Sequence, residues 1–433
     1  MRAGSIAGWI GDSRTVAGAQ EFAKNLITEA LRIFEEIGGA EKIAEALVEM
    51  GICYWHEGAI SEARDLFNQA FKIAGGSSST QEARSLLHIA IMDLIANRLM
   101  DAWEVIQRAE PLYERSSSQS ARGRFHSTRA IILHRLFEAE GKEEYADRAF
   151  VEYTAASVCF EDSGHKRHLA RTENNLGFLL FKLHRYKEAD EHLERARRIF
   201  LELKDTGQVA QVNETRARVF NAQGRYIEAE TLAYMAAHVF EQGDDQSLLA
   251  GALITRGLAL ARMKQPMPAR RSLERAAVVA EAAGNLNAAG AAHLTLLEEL
   301  SEIIETRERI TIYLRADELL KSCQDADTLR RLRAQAHLTL ELVEAQPSIL
   351  ALDDMVTGAN LRDEVLNFEA ALIRRALLKS NGSVTRAARL LGVTHQRLTN
   401  AINTRHKGLL TERTPKRSRF RSIITKPQPK KRK

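Results

Sequence analysis

The densest group of polar side chains patterned for chemistry in this chain is "SNGSVTRAARLLGVTHQRLTNAI", residues 380–402. Its second half reads as a helix from Thr394 to about Asn403, with Leu398, Ala401 and Ile402 on one side. His395, Gln396, Arg397, Thr399, Asn400 and Asn403 then fall on the other. An apolar back and a front of Gln, Asn, Arg and Thr offer donors and acceptors to base edges in a major groove, whereas a helix built for packing favours Glu and Lys there. Ser383 is placed to cap a shorter helix, Val384–Leu391, by accepting from the N–H of Arg386. Ala387, Ala388 and Leu391 face inward, Gly392 supplies a tight turn, Val393 plugs it, and Thr394 caps the second helix.

The second chemical feature is charge segregation. Residues 405–433 hold 12 of the 62 Lys and Arg and one of the 57 acids, Glu412. That leaves 50 basic and 56 acidic residues in 1–404, so a mildly acidic body precedes a strongly basic end. Such a block seeks an anion, most often nucleic acid; it also serves as a solubilising tail or a targeting address. Catalytic signatures are missing: no phosphate-binding glycine loop, no His-Glu-x-x-His, no nucleophile elbow and no paired-cysteine site occurs. His165 and His168 in "GHKRH" read as a solvated turn between helices. No enzyme, cofactor or metal is expected.

These residues need elements to hold them, and a repeat supplies most of the chain. Small residues recur at Ala30, Ala70, Ala109, Ala156, Ala196, Ala236, Ala276 and Ala316, at steps of 40, 39, 47, 40, 40, 40 and 40. Seven residues earlier stand Ala23, Ala63, Ala102, Ala149, Ala189, Ala229 and Ala269, with Arg309 in the eighth place. A third register runs Gly11, Gly51, Ala90, Ala130, Gly177, Ala217, Gly257, Leu297. Small residues at fixed spacing let two antiparallel helices cross closely while larger ones fill between. The longer third step gives the fourth unit about seven extra residues, expected in its turn near "FEAEGKEEY".

This pattern resembles the tetratricopeptide repeat, with its small eighth residue, aromatic eleventh, and alanines at the twentieth and twenty-seventh. The period is nearer 40 than the usual value of about 34, as in the longer-helix variant of kinesin light chains and bacterial signalling regulators. The resemblance covers residues 4–326 and implies a right-handed superhelix whose groove, lined by the first helix of each pair, binds a peptide or helix of another protein. A last helix, Asp327–Glu344, would cap the stack. By register, Arg171, Asn174, Phe178, Gln211, Glu214, Arg218 and Asn221 fall at groove-facing places, or on ordinary solvated faces. No ligand is assigned by this pattern.

Pro347 and Gly358 interrupt the helical rhythm, and "LRDEVLNFEAALIRRALLKS" resumes it with Leu361, Val365, Phe368, Leu372, Ala376 and Leu377 on one stripe. Asn381-Gly382 ends that helix. Phe368-Glu369, Ala376-Leu377, Gly382, Thr385-Arg386-Ala387-Ala388, Leu390-Leu391-Gly392-Val393 and Leu398 are together similar to the Fis-type helix-turn-helix, also found in nitrogen-regulatory (NtrC-class) activators. The resemblance covers residues 360–405. It implies that Ser383 and Thr385 hold phosphates, that Thr394, His395 and Arg397 reach bases or backbone, and that Thr399 and Asn400 contact backbone. Arg386, Gln396 and Asn403 complete the face. Family members dimerise through the preceding helices, here the 361–377 helix. The family's late basic run is replaced by "LTNAINTRHKGLL", so Arg405, Lys407, Arg413, Lys416, Arg417, Arg419 and Arg421 are expected to supply that charge.

The expected protein is all-α: a tetratricopeptide-like superhelix of about eight helix pairs (1–345), a linker (346–358), a Fis-type helix-turn-helix (359–410) and a basic, disordered tail (411–433). It would bind double-stranded DNA and an unidentified protein or peptide as a cytoplasmic bacterial transcriptional regulator, nucleoid-associated when on DNA. The rival is an interaction scaffold whose basic C-terminus binds nucleic acid non-specifically, with "PKKRK" as an import address in a variant of it. Cys53, Cys159 and Cys323 lack paired spacing, consistent with a reducing compartment. No signal peptide or stretch of 18 apolar residues is present.

Overall fold

The computed structural model describes residues 18–75, 78–243, 245–323, 325–345 and 361–412. The first helix of the opening repeat with Gly11, the 346–358 linker and the basic residues from Arg413 onward lie outside them. The chain divides into two compact units, 1–342 and 343–433. Among the described residues every regular element is helical.

The first unit begins with α1 (Ala19–Ile37). Seven helix pairs follow: α2 (Ala40–His56) with α3 (Ile60–Ala74), α4 (Ser79–Ile95) with α5 (Leu99–Glu114), α6 (Gln119–Glu140) with α7 (Glu143–Asp162), α8 (Lys166–Lys182) with α9 (Tyr186–Glu202), α10 (Thr206–Ala222) with α11 (Tyr226–Glu241), α12 (Gln246–Arg262) with α13 (Pro266–Ala282), and α14 (Leu286–Glu299) with α15 (Thr306–Leu319). The cap helix α16 spans Ala326–Ala345. The alanine registers are the crossing points: Ala63, Ala70, Ala102, Ala109, Ala149, Ala156, Ala189, Ala196, Ala229, Ala236, Ala269 and Ala276 are each 0% exposed. At Gly177 a Cβ would lie 2.6 Å from Leu193 Cγ, so only glycine lets α9 press this close on α8.

The helices start where local chemistry dictates. Ser78, Ser118, Asp205, Asp245 and Asn285 each accept from the backbone N–H three residues on, capping α4, α6, α10, α12 and α14. His184, Gly224 and Lys264 adopt positive φ at 40-residue intervals and turn the chain within successive pairs.

One expectation is corrected. The extra residues of the fourth repeat do not sit in its turn, which shrinks to Gly141 and Lys142. Instead α6 runs to Glu140, ten residues past Ala130, where α8 runs five past Gly177 to Lys182. In the same way α7 starts six residues before Ala149, where α9 starts three before Ala189. Helical propagation satisfies each added backbone donor and acceptor, which a long turn would leave to water.

The first helices of successive pairs (α2, α4, α6, α8, α10, α12, α14) pack on one another as well as on their partners, whereas the second helices are joined to one another by ion pairs at their surface, such as Arg195 with Glu161 and Arg275 with Glu241. The first helices therefore form the inner wall. Buried carboxylates tie neighbouring pairs together. Asp93 on α4, 0% exposed, takes Arg64 Nε of α3 at 2.8 Å and Arg98 Nε at 3.0 Å. Glu173 on α8 accepts from Ser157 of α7 and from Arg195 of α9 at 3.0 Å, and lies 2.6 Å from His192 Nδ1. Burial works to raise the Glu173 pKa, but the hydrogen bonds from His192 and Ser157 and the Arg195 charge outweigh it and hold the carboxyl below its usual range.

The second unit holds α17 (Leu361–Lys379), α18 (Val384–Leu390), α19 (His395–Thr404) and a 3₁₀ turn at Lys407–Glu412. Its core is one cluster of Ile373, Ala376, Leu377, Val384, Ala387, Ala388, Leu398, Ala401, Ile402 and Leu409, with Leu391 and Val393 packed at its edge. The apolar stripe anticipated on α17 divides. Ala376 and Leu377 are core, but Val365, Phe368 and Leu372 are 57%, 67% and 42% exposed, and Ile373 takes the inward place. Two short helices cover only the last turns of a 19-residue helix, so Val365, Phe368 and Leu372 have no partner helix among the described residues of the unit.

Candidate nucleic-acid interface and repeat groove

Asn381 and Gly382 take positive φ (50° and 75°) and break the chain after α17. Ser380 closes that turn, its hydroxyl 3.1 Å from both Leu377 O and Ser383 O. The anticipated Ser383 cap is not made: α18 has no side-chain cap hydrogen bond. The Ser383 N–H is itself engaged with Ser380 O at 3.1 Å, so backbone and Ser380 take over the turn. Gly392, at φ 65°, makes the sharp step from α18 to α19. Thr394 caps α19 as expected, accepting from Arg397 N at 3.3 Å.

With Leu398, Ala401 and Ile402 buried against α17 and α18, the opposite side of α19 is open. Thr394, His395, Gln396, Arg397, Asn400 and Asn403 are exposed on it. Thr385, Arg386, Arg405 and Lys407 are exposed nearby, and Ser383 is half-buried. Two of the anticipated contact residues are placed differently. Thr399 is half-buried, with its hydroxyl oxygen covered and no protein partner, because it stands one helical turn from core Ile402. Arg405 pairs with Glu369 at 3.0 Å, as does His406 Nε2, which anchors the turn carrying buried Leu409.

A charge pattern adds residues that the helix pattern missed. From residue 370 to 411 there is no Asp or Glu, while Arg374, Arg375, Lys379, Arg386, Arg389, Arg397, Arg405 and Lys407 all fall there and are exposed. Counting acids rather than searching for a basic run would have found Arg374, Arg375, Lys379 and Arg389. A face of this sign attracts the phosphate backbone of a nucleic acid and releases its counterions.

In the first unit the inner wall holds three cavities. Asn174, Phe178, Gln211, Glu214 and Arg218 line one of about 270 Å³ together with Thr215, Leu248 and Gly251. Arg218 and Asn221 line a second, of about 820 Å³, with Thr255, Thr295, Glu298 and Arg331. A third, of about 810 Å³, lies between Phe137, Lys182, Tyr186, Arg218 and the first turn of the cap helix at Asp327. Six of the seven anticipated groove residues thus line cavities, whereas Arg171 is exposed and lines none of these three. Gly251, Thr255 and Thr295 were not anticipated. Extending the 40-residue step from Gln211 to Gly251, and from Thr215 to Thr255 and Thr295, is the signal that reaches them.

Comparison with known proteins gives the following. Residues 168–242 match the family model for the tetratricopeptide repeat, and residues 365–403 match that for the bacterial regulatory protein, Fis family. No curated protein matches the chain. Among solved structures the chain is similar to a Rap protein complexed with Competence and Sporulation Factor, at TM-score 0.54 and 13% identity, over 79% of this chain and 98% of that one. It is also similar to the apo form of the quorum sensor NprR from B. thuringiensis, at TM-score 0.50 and 13% identity, over 74% and 97%. A signal transduction ATPase with a tetratricopeptide repeat sensor, from Pyrococcus horikoshii, matches at TM-score 0.52 and 13% identity, over 70% and 48%. At these identities the likeness is one of fold. The chain thus carries tetratricopeptide repeats followed by a helix-turn-helix of the Fis type.

Proposed function

We propose that the protein is a DNA-binding transcriptional regulator: the helix-turn-helix reads duplex sequence, and the repeat array holds a protein or peptide partner in its groove. The observation that carries this reading is the open face of α19, set in a 42-residue stretch without an acid. Gln396 and Asn400 have the amides that pair with adenine edges, and Arg397 the fork that pairs with guanine. Arg386, Arg389 and Lys407 add charge for the phosphates. Val365, Phe368 and Leu372 favour a second copy of the chain on α17, which would present two reading heads to paired half-sites. The groove reading rests on the cavities of the inner wall, and a Rap protein of similar fold is complexed with Competence and Sporulation Factor.

Selection of genomic fragments by the full-length protein, followed by binding at rising salt, tests the proposal. The selected site should stay bound at salt that removes random duplex. Equal binding to all duplexes at every salt would support the rival, an interaction scaffold with a non-specific basic end. Phe368→Asp should convert a sedimenting dimer to monomer; an unchanged sedimentation coefficient would remove the α17 interface.

A further inference from the structure

Arg171, which lines none of the three cavities, belongs to a row of its own. Arg84, Arg124 and Arg171 each stand six residues before the small residue of the third register, Ala90, Ala130 and Gly177, on α4, α6 and α8. They therefore hold one position on three successive first helices, which pack on one another. The row ends at Glu45 of α2, paired with Lys42 at 2.8 Å, and at Gln211 of α10. Seven residues after each arginine come Ile91, Ile131 and Phe178, two turns along on the same face of each helix. All three are half-buried, and Phe178 lines the 270 Å³ cavity, so this face belongs to the inner wall.

The charge of this row is matched only at one end. Arg84 donates to Glu49 at 2.7 Å and to Gln81 at 3.3 Å. Arg124 and Arg171 are exposed, and neither has a carboxylate or other hydrogen-bond acceptor among the described residues. The arginines also act on common neighbours. Arg124 is open to solvent yet ringed by the wall: desolvation lowers its pKa first, with the Arg84 charge in the same direction and Tyr113 and Glu49 against it. His168, stacked on Phe160 at 5.1 Å, is pushed down to about 4 by burial and then by the Arg124 and Arg171 charges. Like charges held side by side repel, and an anion that spans them relieves the repulsion.

Spacing decides which anion fits. Neighbouring first helices set successive arginines about 8–10 Å apart. Along each helix, two turns put the apolar residue about 10.5 Å from its arginine. An α-helix laid across the wall is about 10–12 Å wide, enough to touch both rows, and acids seven apart along it recur every 10.5 Å or so. A lone strand is about 5 Å wide and reaches one row. Charges in series call for side-chain carboxylates along a segment rather than for a chain end, and an apolar row has no counterpart on a phosphate backbone. We propose that α4, α6 and α8 hold an acidic amphipathic helix of a partner protein, its carboxylates on Arg84, Arg124 and Arg171 and its apolar side on Ile91, Ile131 and Phe178. This deepens, and rests on, the reading of the array as a partner-binding groove.

The test uses the full-length protein and fluorescent peptides of about 18 residues, long enough to cross all three arginines. Both are acetylated and amidated at their ends and built on leucine, alanine and glutamine. In the first, glutamates at the second, ninth and sixteenth places flank an apolar helical face; in the second, the same residues are permuted to scatter the glutamates around the helix. Anisotropy should show the first bound roughly ten-fold tighter, as expected for ion pairs of this exposure acting together. Arg124→Gln with Arg171→Gln should abolish the difference without lowering the array's melting temperature, since no carboxylate of the array pairs with either side chain. Arg124→Glu should bind tightly a peptide whose middle glutamate is replaced by lysine. Equal binding of the two peptides, weakened alike by Phe178→Asp, would overturn the arginine row and leave the groove reading standing. Binding untouched by every one of these substitutions would put the peptides on another surface and count against the groove as well. Binding of neither peptide would overturn the row alone. Should the double arginine variant lose as much affinity for random duplex as for the first peptide, the row is a polyanion surface and the amphipathic partner is lost.

Discussion

Arginine does opposite work in the two units. In the repeat array Arg64 and Arg98 meet Asp93, Arg216 meets Asp190, Arg256 meets Glu230, and Arg331 meets Glu298, each by a hydrogen bond between helices or across a turn. In the second unit Arg386, Arg389 and Arg397 stand in a stretch with no acid at all. A matched arginine is structural mortar: its charge is cancelled nearby, and the field outside is small. An unmatched one exports its field and waits for an anion. The contrast extends to the apolar residues. The array hides its alanines at every crossing, while α17 leaves Val365 and Phe368 in solvent.

That comparison can be broken most severely at Asp93. Asp93→Ala leaves two guanidinium groups without their shared carboxylate, at a cost of about 3 kcal/mol. Chemical denaturation should show the loss in the array's transition and none in that of the helix-turn-helix unit. Equal losses in both would mean that the units do not unfold separately.

Next comes Arg397→Ala, with an effect of about 1–3 kcal/mol, confined to binding and to the preferred sequence. Fluorescence anisotropy on the selected site and on random duplex should show preference relaxed and both melting transitions unchanged. Arg389→Ala should instead weaken both duplexes alike and lower the salt slope by about one.

A third effect separates the units by pH. His134, 6% exposed between Tyr153 and Phe178, is pushed down to about 4 by burial and then by the Lys182 and Arg135 charges. In the unfolded chain it takes a proton near pH 6.5. Its folded pKa is the lower, so its contribution is complete above pH 6.5 and is lost as pH falls from there to about 4. The array's melting temperature should fall across that window, and His134→Phe should flatten the fall by on the order of 2 kcal/mol. Glu173, also depressed, adds a loss in the same direction at lower pH, once its carboxyl takes a proton. An array whose melting temperature holds unchanged from pH 6.5 to 4 would contradict the His134 contribution.

The smallest expected change is Thr394→Ala, about 1 kcal/mol, through the lost cap on Arg397 N. Calorimetry should place it wholly in the second unit, with no shift in the array.

Much of this organisation is legible in the chain alone, for a definite reason. A helix crossing admits only a small residue, so Ala189, Ala196 and Gly177 announce it and the 40-residue step repeats it. Periodicity likewise separates the back of α19 from its front, and Thr394 is a cap wherever a helix follows. What needed the tertiary structure is whatever depends on partners distant in sequence. Ser383 looks like a cap, but Ser380 and a backbone bond take that turn. Val365 and Phe368 share a stripe with Leu377, yet only the last has helices to cover it. Arg405 looks like a phosphate ligand until Glu369, 36 residues earlier, closes on it. The 40-residue step points to the places of Asn221 and Thr255, but that the Asn221 amide donates to the Thr255 carbonyl across two neighbouring helices is decided by packing alone.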